Sequence, residues 1–226
     1  MSGLFITGSG TDVGKTYVSG LLAMGFKSLG TTVSYMKPVQ TGCERTADGN
    51  LVAPDVEHVV SVMGDETFTV DALYKFEPAC SPHLAAKLAK EHISLDVIIE
   101  GYKHMKRRSE ITIVEGAGGV LVPLNETDYM TDLIAGMNIP AVLVVTPGLG
   151  TLNHTFLSLE VLKQRGISTA GVVINNAGGI KRDFIYNDNV EMIRQSVHPR
   201  PCLEVEYRSD VNQAVKDFCY ALKREL

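Results

Sequence analysis

An apolar run, Leu4-Phe5-Ile6, breaks at once into Gly8-Ser9-Gly10-Thr11-Asp12-Val13-Gly14-Lys15-Thr16, and the chain then turns helix-periodic. Strand, glycine-rich loop and helix in that order leave few folds open, because such a loop sits at the carboxyl end of a buried strand. Val18, Leu21, Leu22, Phe26 and Leu29 recur at helical spacing and make one apolar stripe that packs on a sheet. Glycines let the backbone curl so that successive N–H groups point inward as an anion nest, and the helix dipole adds positive potential there. Lys15 can then reach terminal phosphates, and the Thr16 hydroxyl can ligate Mg2+. Strict spacing would put glycine at position 9, where this chain has Ser9 between Gly8 and Gly10. A glycine turn without a ligand is the bland alternative. The strand before the loop and the amphipathic helix after it argue against that alternative.

With 226 residues, 45% hydrophobic and 21% charged, the chain fits one well-cored domain spanning 1–226. A net charge of -5 argues against nucleic acid as the main partner, since phosphate backbones are held by dense Lys/Arg surfaces. The one basic cluster, Lys103-His104-Met105-Lys106-Arg107-Arg108, reads as a solvated helix end. No segment reaches the length of a membrane span, and the first residues already form the strand that feeds the glycine loop. Loss of a cleaved leader there would destroy the loop, so a cytoplasmic location is expected. Cys43, Cys80, Cys202 and Cys219 show no metal-ligand spacing and read as packed or incidental thiols.

Apolar runs alternate with helical patterns along the whole chain. Strands are expected near 3–7, 32–37, 111–115, 141–146 and 170–175, with helices near 15–29, 54–63, 94–108, 130–137 and 153–165. Ser94 is placed to cap one helix, Ser81-Pro82 to open a short one with a serine cap, and a last helix starts from about Ser209. Residues 43–53 read as a surface loop or hairpin. Ala141-Val142-Leu143-Val144-Val145 and Gly171-Val172-Val173-Ile174 are apolar on both faces, as strands buried between two helical layers are. The pattern predicts a doubly wound, mostly parallel α/β sheet of the P-loop NTPase type.

In such sheets ligands sit at the carboxyl ends of the strands. Those ends are polar or glycine-rich here: the loop at 8–16, Lys37-Pro38-Val39-Gln40-Thr41-Gly42, Glu115-Gly116-Ala117-Gly118-Gly119, Thr146-Pro147-Gly148-Leu149-Gly150, and Asn175-Asn176. Lys37 ends an apolar strand, where a lysine usually snorkels to the surface. Beside a phosphate loop it is instead a second cation for the charge that builds on a transferring phosphoryl group. Glu115 ends another buried strand and is placed to hold Mg2+, directly or through water; a carboxylate satisfied by backbone amides is the alternative. Gly116 to Gly119 read as bare backbone donors. Asp55, opening a helix, is a weaker second carboxylate for the metal.

These residues resemble the dethiobiotin synthetase family. The resemblance rests on Thr7 to Thr16, Lys37-Pro38-Val39-Gln40-Thr41-Gly42, Cys80-Ser81-Pro82-His83-Leu84-Ala85, Val114 to Leu124, Gly148 to His154 and the Asn175 strand end, in family order. The family's loop carries one residue more than the strict pattern, which accounts for Ser9. The resemblance implies ATP- and Mg2+-dependent closure of a ureido ring on 7,8-diaminopelargonic acid with CO2 or bicarbonate. It implies a homodimer with the substrate between subunits.

The resemblance assigns Lys37, Lys15 and Thr11 to catalysis. Asp12, Val13, Gly14, Lys15, Thr16, Tyr17, Asp55, Glu115, Gly116, Ala117 and Gly118 would surround the phosphates and metal, with Thr16, Asp55 and Glu115 holding Mg2+. Asn175, Asn176, Val205, Glu206 and Tyr207 would line the base. Thr41, Ser81, Gly118, Gly119 and Tyr186 would meet the substrate. Gly150, Thr151, Leu152 and Asn153 of a second copy would bind its distal carboxylate at a helix start. Asp12 stands where glutamate is frequent, Thr41 where serine is, and Glu206 where proline is usual.

Two other readings share the fold. A regulatory switch ATPase of the partition or division-site type would carry a signature lysine at the place of Gly10 and would lack Lys37-Pro38. A cobyrinic-acid-type amidotransferase would need a glutamine-hydrolysing domain, for which 226 residues leave no room.

Overall fold

The computed structural model describes residues 2–65, 68–206 and 210–226. The first part of the chain runs β1 (Ser2–Gly8), α1 (Lys15–Ser28), β2 (Val33–Thr41), β3 (Glu44–Arg45), β4 (Leu51–Val52), α2 (Pro54–Met63) and β5 (Thr69–Phe76). The middle comprises α3 (Pro82–Ala89), α4 (Leu95–Met105), β6 (Ile111–Gly119), α5 (Met130–Met137) and β7 (Ala141–Val145). The chain closes with α6 (Thr151–Gln164), β8 (Thr169–Asn176), α7 (Phe184–Val197), β9 (Cys202–Glu206) and α8 (Gln213–Glu225). Seven strands form one sheet in the order β5-β2-β6-β1-β7-β8-β9, with every neighbouring pair parallel. This is the doubly wound sheet that the alternating pattern predicts.

The pleat of β1 explains the two layers. Leu4 and Ile6 join α1, α2 and α8 through Val18, Leu22, Val59 and Phe218, all in one buried cluster. Phe5 points the other way and joins Ile98, Leu133, Leu162 and Ile193 of the opposite helical layer. β1 lies between β6 and β7, so the loop after it opens into the crevice at the carboxyl ends. Among the described residues no helix is long and apolar enough to cross a membrane.

Several boundaries differ from the sequence expectation. β2 runs on to Thr41 rather than ending at Lys37. Its ladder with β6 ends at Met36↔Val114, and beyond Pro38 it pairs with β5 alone. A proline lacks an N–H for the ladder, so it is tolerated where one neighbour has already peeled away. Residues 43–53 do form a hairpin, β3 with β4. The last helix starts at Gln213, capped by Asn212, and the expected start at Ser209 lies outside the described residues. Ser81 stands at the N-cap of α3, but its side chain makes no capping bond; the Ser94 hydroxyl does accept from the Val97 N–H at 3.5 Å.

Candidate active site

The β2–β6 ladder stops one residue short of Lys37 and Glu115, so a crevice opens there. Period-two alternation puts Tyr35 and Lys37 on the same face of β2, and Ile113 and Glu115 on that face of β6, under α1. A cleft of 460 Å³ results. The phosphate loop contributes Thr11, Asp12 and Gly14, and the first turn of α1 contributes Lys15 and Thr16. β2 supplies Lys37, Val39, Gln40 and Thr41, α2 supplies Asp55, and β6 supplies Glu115, Ala117 and Gly118. Val39 and Gln40, quoted within the strand-end motif but given no role from sequence, also line the cleft. The Gln40 side-chain amide oxygen accepts from the Asp55 N–H at 3.3 Å and so fixes the start of α2.

Gly14 caps α1 with φ +83, a conformation glycine adopts without strain, and α1 has no side-chain cap and no acidic residue in its first turn. Its positive end is therefore left for an anion. Asp12 is also left-handed, at φ 59, which only a few non-glycine residues tolerate. Lys15 folds back to donate to the Gly10 carbonyl at 3.3 Å. Burial and the neighbouring Lys37 ammonium lower the Lys15 pKa to about 8, against the pull of Glu115, Asp55 and Asp12.

Lys37 does not snorkel. It is 4% exposed and its ammonium meets Glu115 Oε1 at 2.7 Å, the Gly116 carbonyl at 3.4 Å, and Asp55 Oδ2. Burial acts to lower its pKa, but the Glu115 and Asp55 carboxylates outweigh burial and raise it. Burial likewise pushes Asp55 upward, and the Lys37 cation reverses this and holds the carboxyl below its usual range. Glu115 is fully buried, and among the described residues side chains are the donors that satisfy it. Thr16 donates to Oε1 at 2.8 Å, and Ser19 and Tyr35 donate to Oε2 at 2.8 and 2.9 Å. Neither Ser19 nor Tyr35 was legible as part of a site.

Thr16, Asp55 and Glu115 offer one hydroxyl and two carboxylates around the cleft. Oxygen-only donors of this kind suit a hard cation such as Mg2+, which keeps waters and takes phosphate oxygens for its other positions. Among the described residues no cluster of three His, Cys, Asp or Glu side chains offers a closed cage. One hydroxyl and two carboxylates fit Mg2+ bound together with a polyphosphate.

The glycines after Glu115 have separate causes. A Cβ on Gly116 would lie 2.8 Å from Phe5, and Gly118 has φ +67. Gly119 lies beyond the cleft, in a groove of 320 Å³ on the other side of the phosphate loop. That groove is bounded by Thr11, Leu121 and, from α6, His154 and Leu157.

Other expected residues lie apart from the cleft. Asn175 braces the phosphate loop: its amide donates to the Val13 carbonyl at 2.9 Å, and its side-chain oxygen accepts from the Ala177 N–H. Asn176 donates to Glu206 Oε2 at 2.8 Å, and Tyr17 donates to the Glu206 carbonyl at 3.2 Å. Val205 is buried beneath that shelf, and Tyr207 lies outside the described residues. Tyr186 is 1% exposed, and its hydroxyl donates to Glu204 at 2.5 Å, away from the cleft. Ser81 is half-buried at the start of α3. Gly150 caps α6 with φ +89, ahead of Thr151, Leu152 and Asn153. The buried Asn189 of α7 holds the turn before them through the Pro147 and Gly148 carbonyls.

A family model described as an AAA domain matches residues 2–215. An ATP-dependent dethiobiotin synthetase BioD of Clostridium botulinum (strain 657 / Type Ba4) is 35% identical over 193 residues, covering 84% of each chain. The protein of that name from Geobacillus sp. (strain WCH70) is 39% identical over 198 residues, 85% of this chain and 79% of that one. Among solved structures, the Pyrococcus furiosus cell division ATPase MinD matches over 100% of both chains, with a TM-score of 0.64 at 17% identity. A plasmid partition protein from Borrelia burgdorferi matches 99% of this chain and 97% of its own, with a TM-score of 0.63 at 10% identity. At those identities the likeness is one of fold.

Proposed function

The chain belongs to the dethiobiotin synthetase family, an ATP-using ligase family, and from that premise we propose that its cleft carboxylates and cyclises 7,8-diaminopelargonic acid. The observation that carries this reading is the buried Lys37 ammonium sharing one cleft with Lys15 and the phosphate loop. A switch ATPase needs no second buried cation at the end of β2. A ligase that must hold a carbamate against a triphosphate does.

One amine of the substrate captures CO2 as a carbamate. A carbamate oxygen attacks the γ-phosphorus of ATP, the β–γ bridging bond breaks, and ADP leaves. The second amine attacks the carbonyl of the mixed anhydride, the carbonyl carbon releases phosphate, and a cyclic urea closes. Lys37 and Lys15 offset the charge on the carbamate and the transferring phosphoryl group. Thr11 and Thr41 hydrogen-bond the amines or the carbamate. Holding both amines beside one carbon makes closure intramolecular, an advantage of roughly 7 kcal/mol or more. Thr16, Asp55 and Glu115 would hold Mg2+, which when bound screens the triphosphate charge. Asn175, Asn176 and Glu206 flank the base side. Gly150, Thr151, Leu152 and Asn153 of a second copy take the distal carboxylate, with Tyr186 and Ser81 assigned to substrate by the same family pattern.

The test is direct: the protein is incubated with ATP, Mg2+, bicarbonate and the diamine. The diamine should gain one carbonyl and lose two hydrogens by mass, with one phosphate released per product. Phosphate release that ignores the diamine would reject the ligase reading.

A further inference from the structure

Glu115 receives four donors, divided unequally between its two oxygens. Oε1 takes the groups that line the cleft, Thr16 and Lys37. Oε2 takes Ser19 and Tyr35, two hydroxyls that line no part of the cleft and are 0% exposed as whole residues. Tyr35 stands two residues before Lys37 on β2, so one strand delivers both the cation on Oε1 and the clamp on Oε2. Ser19 stands one turn after Thr16 on α1 and plays the matching part from the helix.

We propose that Tyr35, with Ser19, is a positioning residue that fixes the Glu115 carboxylate so that only Oε1 is presented to the metal–nucleotide complex. This rests on the proposed reading of the cleft. The simpler account is that a core tyrosine needs some partner for its hydroxyl. With one edge held by two buried hydroxyls, the carboxylate group cannot tilt or shift from its place without straining both hydrogen bonds in the interior, which the low dielectric penalises. Partners placed behind a metal-binding carboxylate orient it and typically matter by tenfold or more in metal affinity.

Tyr35→Phe removes one oxygen and keeps the ring. Binding of ATP is measured calorimetrically with Mg2+ and again in excess chelator, alongside thermal melting. In the variant, the enhancement of ATP binding by Mg2+ should fall about tenfold, with metal-free ATP binding unchanged. Ser19→Ala should act in the same direction, and in a Glu115→Gln background neither change should alter the Mg2+ enhancement further. A Tyr35→Phe protein that melts lower yet keeps the full Mg2+ enhancement would overturn the proposal, as would equal weakening with and without metal. No diamine is present in this measurement. A wild-type protein that binds Mg2+–ATP but forms no product from the diamine would reject the ligase reading and leave this one standing.

Discussion

Lys37 Nζ lies 2.7 Å from Glu115 Oε1, with the two side chains 5% and 0% exposed, and the same ammonium also meets Asp55. Two strands that stop pairing with each other just below this point hold a cation and an anion together, shielded from solvent. Such a pair adds little net stability, because desolvation offsets the attraction, but losing one member strands the other.

Lys37→Met should therefore do two separable things. Turnover should fall by about 10²–10³-fold or more, as when a preorganised transition-state donor is removed. Stability at neutral pH should drop by about 3 kcal/mol, because Glu115 is left as an unneutralised buried charge. Adding Glu115→Gln should restore most of the stability and none of the turnover. Urea unfolding and the product assay measure the two effects independently, and a folded Lys37→Met protein with normal turnover would defeat the mechanism.

Lys15 sets a pH signature. Its pKa is depressed in the folded protein, from an ordinary 10.5 to about 8, so between these values the unfolded chain binds more protons. Its contribution to stability is therefore unfavourable below pH 8 and is relieved as pH rises from 8 toward 10.5. A bound triphosphate favours the charged ammonium. Nucleotide binding near pH 8 should take up a fraction of a proton, read by titration calorimetry in buffers of different ionisation enthalpy. Lys15→Met should abolish the uptake. Zero uptake in the wild type would mean that Lys15 does not meet the phosphates.

Most of what places the cleft was written in local sequence. Apolar runs marked β1, β6, β7 and β8, and the polar residue ending each run marked the site. β5 and β9 escaped because they are edge strands: Asp71 and Lys75 interrupt the first, and Glu204 and Glu206 alternate through the second. α7 escaped although Tyr186, Asn189, Val190, Ile193 and Val197 make its buried stripe, since a buried asparagine does not read as core. Asn189 is there because loop carbonyls need its amide, a long-range contact with no local signal. Tyr35 and Ser19 were hidden for the same reason. Their partner Glu115 is about eighty and about a hundred residues away, at separations of 80 and 96.

Gly14 joins the loop to the residue that braces it. A Cβ there would sit 2.0 Å from the Asn175 amide nitrogen, and φ is already +83. Gly14→Ala should cost about 1 kcal/mol from backbone conformation alone, and more from the displaced amide. Nucleotide binding should weaken beyond what the melting change suggests, since the Asn175–Val13 bond shapes the loop. Asn175→Ala in the same chain should return part of the stability by removing the clash. If Gly14→Ala binds ATP with unchanged affinity, the loop does not need this geometry.

Leu157 on α6 is 58% exposed and Leu121 is 47% exposed, and both edge the groove that meets the phosphate loop at Thr11. Leu149, just ahead of α6, is 89% exposed. If a second copy covers this face, Leu157→Asp buries an unpaired carboxylate and should dissociate the pair, at a cost of several kcal/mol. Lys15, Lys37, Asp55 and Glu115 all come from one chain, so Mg2+–ATP binding per monomer should survive the substitution. Product formation should not, because the proposed anchor at Gly150 to Asn153 is supplied by the other copy. Sedimentation, ATP titration and the product assay on the same preparations separate these outcomes. A wild-type monomer with full turnover, or a dissociated Leu157→Asp protein that still closes the ring, would remove the shared site from the mechanism.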